Sequence, residues 1–131
     1  MKNAVMKIFM GVLAMLSVIS CRKIKAHKYK GEYQCEINYK YFDAAPSYID
    51  STYSNSLFID IEKKDIRVMA TVEPNIDVLI PIDSLKKNEE YKYQLNHYFY
   101  QIKFIEDSVY FSIGDGTLGY SFSHTFQGKK I

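Results

Sequence analysis

From Glu32 onward, apolar and polar residues alternate with a period of two, and the alternation is broken at short polar intervals. The clearest run is Glu32 to Phe42: Tyr33, Cys35, Ile37, Tyr39 and Tyr41 fall on one side, Glu32, Gln34, Glu36, Asn38 and Lys40 on the other. Such a period puts successive side chains on opposite faces of a half-buried strand. The turn formers of Asp43 to Thr52, with Pro46 among them, predict a loop. Leu57 to Glu62 and Ile66 to Val72 repeat the alternation around Lys63-Lys64-Asp65, which predicts a hairpin. After a break at Glu73-Pro74-Asn75 the period resumes at Ile76, Val78, Ile80 and Ile82, and Pro81 puts that strand's end at an edge or a bulge. Asp83 to Glu90 reads as a loop or at most one helical turn. Tyr91 to Leu95, His97 to Ile105, Val109 to Ile113 and Tyr120 to Gln127 are further strands, with Glu106-Asp107-Ser108 as a turn. Gly114-Asp115-Gly116 is expected to supply the positive φ angles of a tight hairpin.

The expected fold is therefore all-β: an antiparallel meander of about seven or eight strands forming a small β-sandwich or barrel. A parallel sheet would need long crossovers, for which the chain leaves no room.

The first twenty residues follow a different pattern. Lys2 and Lys7 precede twelve uncharged residues, Ile8 to Ile19, and the small Ser20 stands before Cys21. This is the layout of a cleaved secretory signal, since spanning a bilayer takes about 20 apolar residues. Val18-Ile19-Ser20-Cys21 resembles the lipobox of bacterial lipoproteins, in which aliphatic and small residues precede an obligatory cysteine. The resemblance implies that Val18, Ile19 and Ser20 are recognition positions, that cleavage falls before Cys21, and that Cys21 carries the lipid (palmitate-type acyl chains). An ordinary secreted protein would instead pair Cys21 with Cys35. The expected division is a lipoprotein signal peptide over 1–20, a basic tether over 21–30 and a single β domain over 31–131.

Charge separates along the same boundaries. Arg22, Lys23, Lys25, Lys28 and Lys30 stand in the tether without an acid, whereas residues 31–131 hold ten Lys and Arg against fifteen Asp and Glu, a net of −5. The tether suits anionic lipid head groups or a solvated linker. An acidic domain repels phosphate chains, so nucleic acid is not an expected partner. With Cys21 lipidated, Cys35 has no partner and is expected to be buried on the Tyr and Ile face of its strand.

Candidate chemistry is sparse. His27, His97 and His124 are scattered, with no metal-ligand spacing, and Ser112, Ser121 and Ser123 lie on strands without a nucleophile elbow. No cofactor, metal site or catalytic residue is expected. The notable excess is tyrosine, twelve with no tryptophan. Tyr91, Tyr93, Tyr98, Tyr100 and Tyr110 are the candidate aromatic binding face, because tyrosine joins a flat apolar body to a polar tip; ordinary strand packing is the competing explanation.

Phe104 to Tyr110, Gly116-Thr117-Leu118-Gly119, Phe126 to Lys130 and the opening Gly31-Glu32-Tyr33 resemble small lipoproteins of Bacteroidota-type bacteria, a group whose likeness implies a shared fold. In such bacteria acids just behind the lipidated cysteine mark export to the cell surface. Arg22-Lys23-Ile24-Lys25 is basic, which favours an outer-membrane protein facing the periplasm over one at the cell surface, the alternative. Tyr33-Gln34-Cys35 is also similar to the Tyr-x-Cys strand of lysozyme-inhibiting lipoproteins, although that family's second paired cysteine is missing. Three functions follow in order of expectation: a lipid-anchored binding module for an envelope protein or small apolar ligand, a lysozyme-type inhibitor, and an enzyme on an envelope polymer.

Overall fold

The computed structural model describes residues 25–44, 47–71 and 75–131. Strand β1 (Gly31–Asp43) is its hub, because both edges of its backbone are hydrogen-bonded along nearly their whole length. One edge pairs with β2 (Ser47–Glu62) and the other with β8 (Tyr120–Lys130). From β2 the sheet runs outward through β3 (Asp65–Ala70) to β4 (Ile76–Pro81). From β8 it runs through β7 (Ser108–Thr117) and β6 (Tyr98–Ile105) to β5 (Glu90–Leu95). All pairs are antiparallel, in the order β4-β3-β2-β1-β8-β7-β6-β5. The chain is thus an up-and-down ring: every consecutive pair of strands is bonded except β4 and β5, and the sheet is a nearly closed, barrel-like surface. Pro81, which donates no backbone hydrogen bond, ends the edge strand β4.

Registers across the sheet stack the inward side chains into layers. Tyr91, Ile102, Phe111, Phe126, Ile37 and Tyr53 lie opposite one another in succession on β5, β6, β7, β8, β1 and β2. Ile37, Ile102, Phe111 and Phe126 in this layer are completely buried. Below it Tyr33, Leu57, Phe104, Val109 and Cys35 are buried as well. Each such side chain stabilises the fold by roughly 1.5–3 kcal/mol of removed apolar surface, so the middle of the barrel is filled by side chains.

Three expectations need correction. Residues 47–52 are strand, not loop: β2 begins at Ser47, because β1 offers it a partner through Phe42↔Tyr48 and Asp43↔Ser47. Gly114-Asp115-Gly116 lies inside β7, with no left-handed φ at either glycine. Gly114 is there because a Cβ would come within 2.8 Å of the Phe99 ring and 2.6 Å of the Phe122 carbonyl oxygen. The reversal falls instead at Leu118-Gly119, between the paired Thr117 and Tyr120.

The third correction concerns the tether. From Lys25 it belongs to the folded unit, with Ala26 and Tyr29 both in the core and a 3-10 turn over His27–Tyr29. The Tyr29 ring stacks on Phe104 with centroids 4.0 Å apart, and the Tyr33 hydroxyl donates to the Tyr29 carbonyl at 2.9 Å. Lys28 pairs with Glu89, and Lys30 with Asp60 at 2.8 Å. Two of the segment's five basic residues, Lys28 and Lys30, are therefore engaged by the domain's own acids. The turn closes one end of the barrel, together with the β4–β5 connection, whose Ile82 N–H donates to the Lys64 carbonyl.

Candidate functional site

The opposite end is open. Above the filled layer the next register row reads Tyr93, Tyr100, Ile113, His124, Tyr39 and Ser51, on β5, β6, β7, β8, β1 and β2. Tyr41 and Phe122 face each other one step further out, and Tyr120 stands opposite Asp43 at the rim. Strands β1, β2, β7 and β8 are longer than β3, β4, β5 and β6, so their ends project past the shorter ones and expose this inner surface.

Ring contacts divide the surface into two linked clusters. On β5 and β6, Tyr93 stacks on Tyr100 at 4.8 Å, with Tyr91 and Tyr98 each 6.0 Å from Tyr100. On β1 and β8, Tyr39 stacks on His124 at 4.5 Å, Tyr41 meets Tyr120 edge-on at 5.4 Å, and Phe122 lies between Tyr120 and His124. Ile113 of β7 joins the two clusters in the register. Burial, with neighbouring Tyr91 adding to it, pushes the Tyr100 phenol up to about 12. Tyr98 is raised too, by burial first and then by Tyr93 and the charge of Asp115. These hydroxyls stay protonated at neutral pH and remain hydrogen-bond donors. Tyr41 donates to Asp43 at 3.3 Å, so the rim carries carboxylates beside the rings.

Two surface depressions accompany the face. A groove of about 410 Å³ lined by Phe42, Tyr48, Phe99 and Gly116 lies at the same end but on the outer side of the sheet, since these residues are one step out of phase with Tyr41, Phe122 and Tyr100, and one of about 230 Å³ runs beside Tyr93, Phe99 and Tyr100. Phe42 and Tyr48, on that outer side, are open to solvent at 45% and 62% exposure and are not part of the inner row. The rings and phenols of the inner row suit a ligand held by stacking and by a few directed hydrogen bonds.

Of the five expected aromatic residues, Tyr91, Tyr93, Tyr98 and Tyr100 are brought together. Tyr110 is not: it stands opposite Lys103 and Gln127, one step out of phase with the buried Val109 and Phe111, on the other face of β7. Tyr39, Tyr41, Tyr120, Phe122 and His124 complete the surface. Their alternation is visible in the sequence, but the place of Tyr39 and Tyr41 in this surface depends on the β1–β8 pairing between the two ends of the domain. Val18, Ile19, Ser20 and Cys21 lie outside the described residues.

Among the described residues no three His, Cys, Asp or Glu side chains gather as a metal site. His27, His97 and His124 sit on the closing turn, the β5–β6 turn and β8 respectively. Cys35 is buried in the core, and burial raises its thiol to about 11, far from a reactive thiolate. Among the described residues no helix is long and apolar enough to cross a membrane. No family model, curated protein or solved structure matches the chain.

Proposed function

We propose that this is a lipid-anchored cell-envelope protein that binds a ligand or partner with the aromatic open end of its barrel. The observation that carries the reading is polarity. The chain enters the barrel at the closed end, through Tyr29 and Gly31, while the Tyr93-to-Tyr39 row lines the other end. An anchor at Cys21 then holds the closed end near the bilayer and turns the rings toward the periplasm. The partner class that suits rings with phenol donors and rim carboxylates is a planar or apolar group bearing a few hydrogen-bond acceptors or a cation.

Two readouts test it. Acyl labelling of the protein should vanish in Cys21→Ser, and unchanged labelling would remove the anchor. Native mass spectrometry of protein extracted from membranes should show a bound species that is lost in Tyr41→Ser/Tyr93→Ser. Wild type that shows only the mass of the bare protein, as the variant does, would remove the binding role.

A further inference from the structure

The closed end carries a second cavity, of about 440 Å³, between the 3-10 turn His27–Tyr29 and the β4–β5 connection. Its floor is apolar, made by Ala26, Tyr29, Ile82 and Leu85. Its rim holds four lysines, Lys25, Lys28, Lys86 and Lys87, against one carboxylate, Glu89. Glu89 is engaged by Lys28, and among the described residues Lys25, Lys86 and Lys87 form no ion pair. Asp83 and Glu90 stand nearby in the chain, and Glu90 is taken up by Lys92 at 3.1 Å. The folded unit from Lys25 onward, with 13 Lys and Arg against 15 Asp and Glu and so a net charge of −2, therefore concentrates unneutralised positive charge around one apolar depression.

Position decides what that depression meets. Lys25 is four residues from Cys21, and four residues reach at most about 14 Å. The polar layer on each side of the hydrocarbon core is roughly 5–8 Å deep. Once Cys21 is anchored, the cavity cannot stand far from the head groups.

We propose that this cavity is a binding site for the phosphate-bearing head group of an anionic membrane lipid. The three unpaired lysines take the phosphate as flexible point charges, and the apolar floor accepts the uppermost methylenes. A volume of this size suits a small ligand, with room for a phosphoglycerol head. Binding there fixes the barrel upright, closed end down, which a single attachment at Cys21 does not do. The proposal rests on the anchored reading above, and extends it from tethering to orientation.

The experiment uses the lipidated mature protein on vesicles of phosphatidylcholine alone and on vesicles with added phosphatidylglycerol. Flotation with the neutral vesicles reads the anchor separately: protein that fails to float overturns the anchor. Amide hydrogen exchange over residues 25–29 and 82–89 reads the cavity. Each lysine at an anionic surface contributes a factor of about five, so exchange in both segments should slow at least about fivefold on the anionic vesicles. Lys86→Ala/Lys87→Ala, changing two exposed side chains, should abolish the slowing, whereas Lys40→Ala at the open end should keep it. Anchored protein with equal exchange on both vesicle types overturns the proposal. So does equal slowing by inorganic phosphate with neutral vesicles, which would make the cavity a site for soluble anions.

Discussion

Gly128 stands directly opposite Cys35 in the β1–β8 ladder, and a Cβ built on it would lie 2.6 Å from the Cys35 sulfur and 2.2 Å from the Gln34 carbonyl oxygen. The two strands that close the ring at its hub approach so tightly that only glycine fits. Gly128→Ala should destabilise the protein by about 1–3 kcal/mol, as overpacking does, read as a lower urea midpoint. Cys35→Ala in the same chain should not restore it, because the Gln34 carbonyl stays in place. A Gly128→Ala protein of wild-type stability would show this pairing to be wrong.

The Cys35 thiol itself should be silent in the folded protein. It is 1% exposed, and burial moves it up to about 11. At pH 8 a thiol reagent should therefore modify it only as fast as the chain unfolds, and reductant should leave the melting temperature unchanged. Rapid labelling without denaturant would contradict its place in the core.

Tyr29 distinguishes a structural closing turn from a solvated linker. Its ring is stacked on Phe104, its carbonyl receives the Tyr33 hydroxyl, and it is 7% exposed. Tyr29→Ala should cost about 3–5 kcal/mol, the range for removing a buried aromatic ring. A linker residue would change stability by no more than about 0.5 kcal/mol, so thermal or urea unfolding separates the two.

Strand content was legible because periodicity is a local property. The inward sets Tyr33, Cys35, Ile37 and Ile66, Val68, Ala70 are those the alternation marks, and they are buried. Pairing between distant strands was not legible. The open aromatic row runs from Tyr93 and Tyr100 through Ile113 to His124 along consecutive hairpins, but it reaches Tyr39 only because β1 closes on β8, which places residues from the two ends of the domain side by side. The Tyr110 assignment failed for a related reason: a cluster in sequence says nothing about phase, and Tyr110 is one residue out of step with Phe111. Residues 47–52 illustrate the opposite error, turn formers drawn into a strand by a long partner edge. The closing turn was hidden because Lys28 and Lys30 read as solvated charges until Glu89 and Asp60 are seen beside them.

Hairpin turns offer a stabilising change. Lys63 and Glu106 hold left-handed φ values of 55° and 52° at the β2–β3 and β6–β7 turns. A side chain there costs roughly 1–2 kcal/mol relative to right-handed backbone, part of which glycine gives back through its greater freedom when unfolded. Lys63→Gly and Glu106→Gly should each raise stability by about 0.5–1 kcal/mol, and both together should add, since they lie in separate turns. A loss of stability in either variant would show that the side chain has a role the turn geometry does not reveal.

Alkaline pH should unfold the barrel from its core. Burial pushes the phenol of Tyr33 up to about 12, with the charge of Asp107 adding to it, and it does the same for Tyr100 with help from Tyr91. Cys35 rises to about 11 from 9.0 by burial. In the unfolded chain these groups ionise near their ordinary values of 10.0 and 9.0, so between those values and about 12 the unfolded state releases protons that the folded state keeps. Stability is then fully present below pH 9 as far as these groups are concerned, and it falls as pH climbs through the folded values. The urea midpoint should decline steadily above pH 9, and absorbance near 295 nm should show two tyrosines titrating after the rest. Tyr33→Phe should remove one late tyrosine and flatten the decline by its share. If all tyrosines ionise together near 10 while the protein stays folded, then Tyr33 and Tyr100 are in contact with water and the layered interior described for them is wrong.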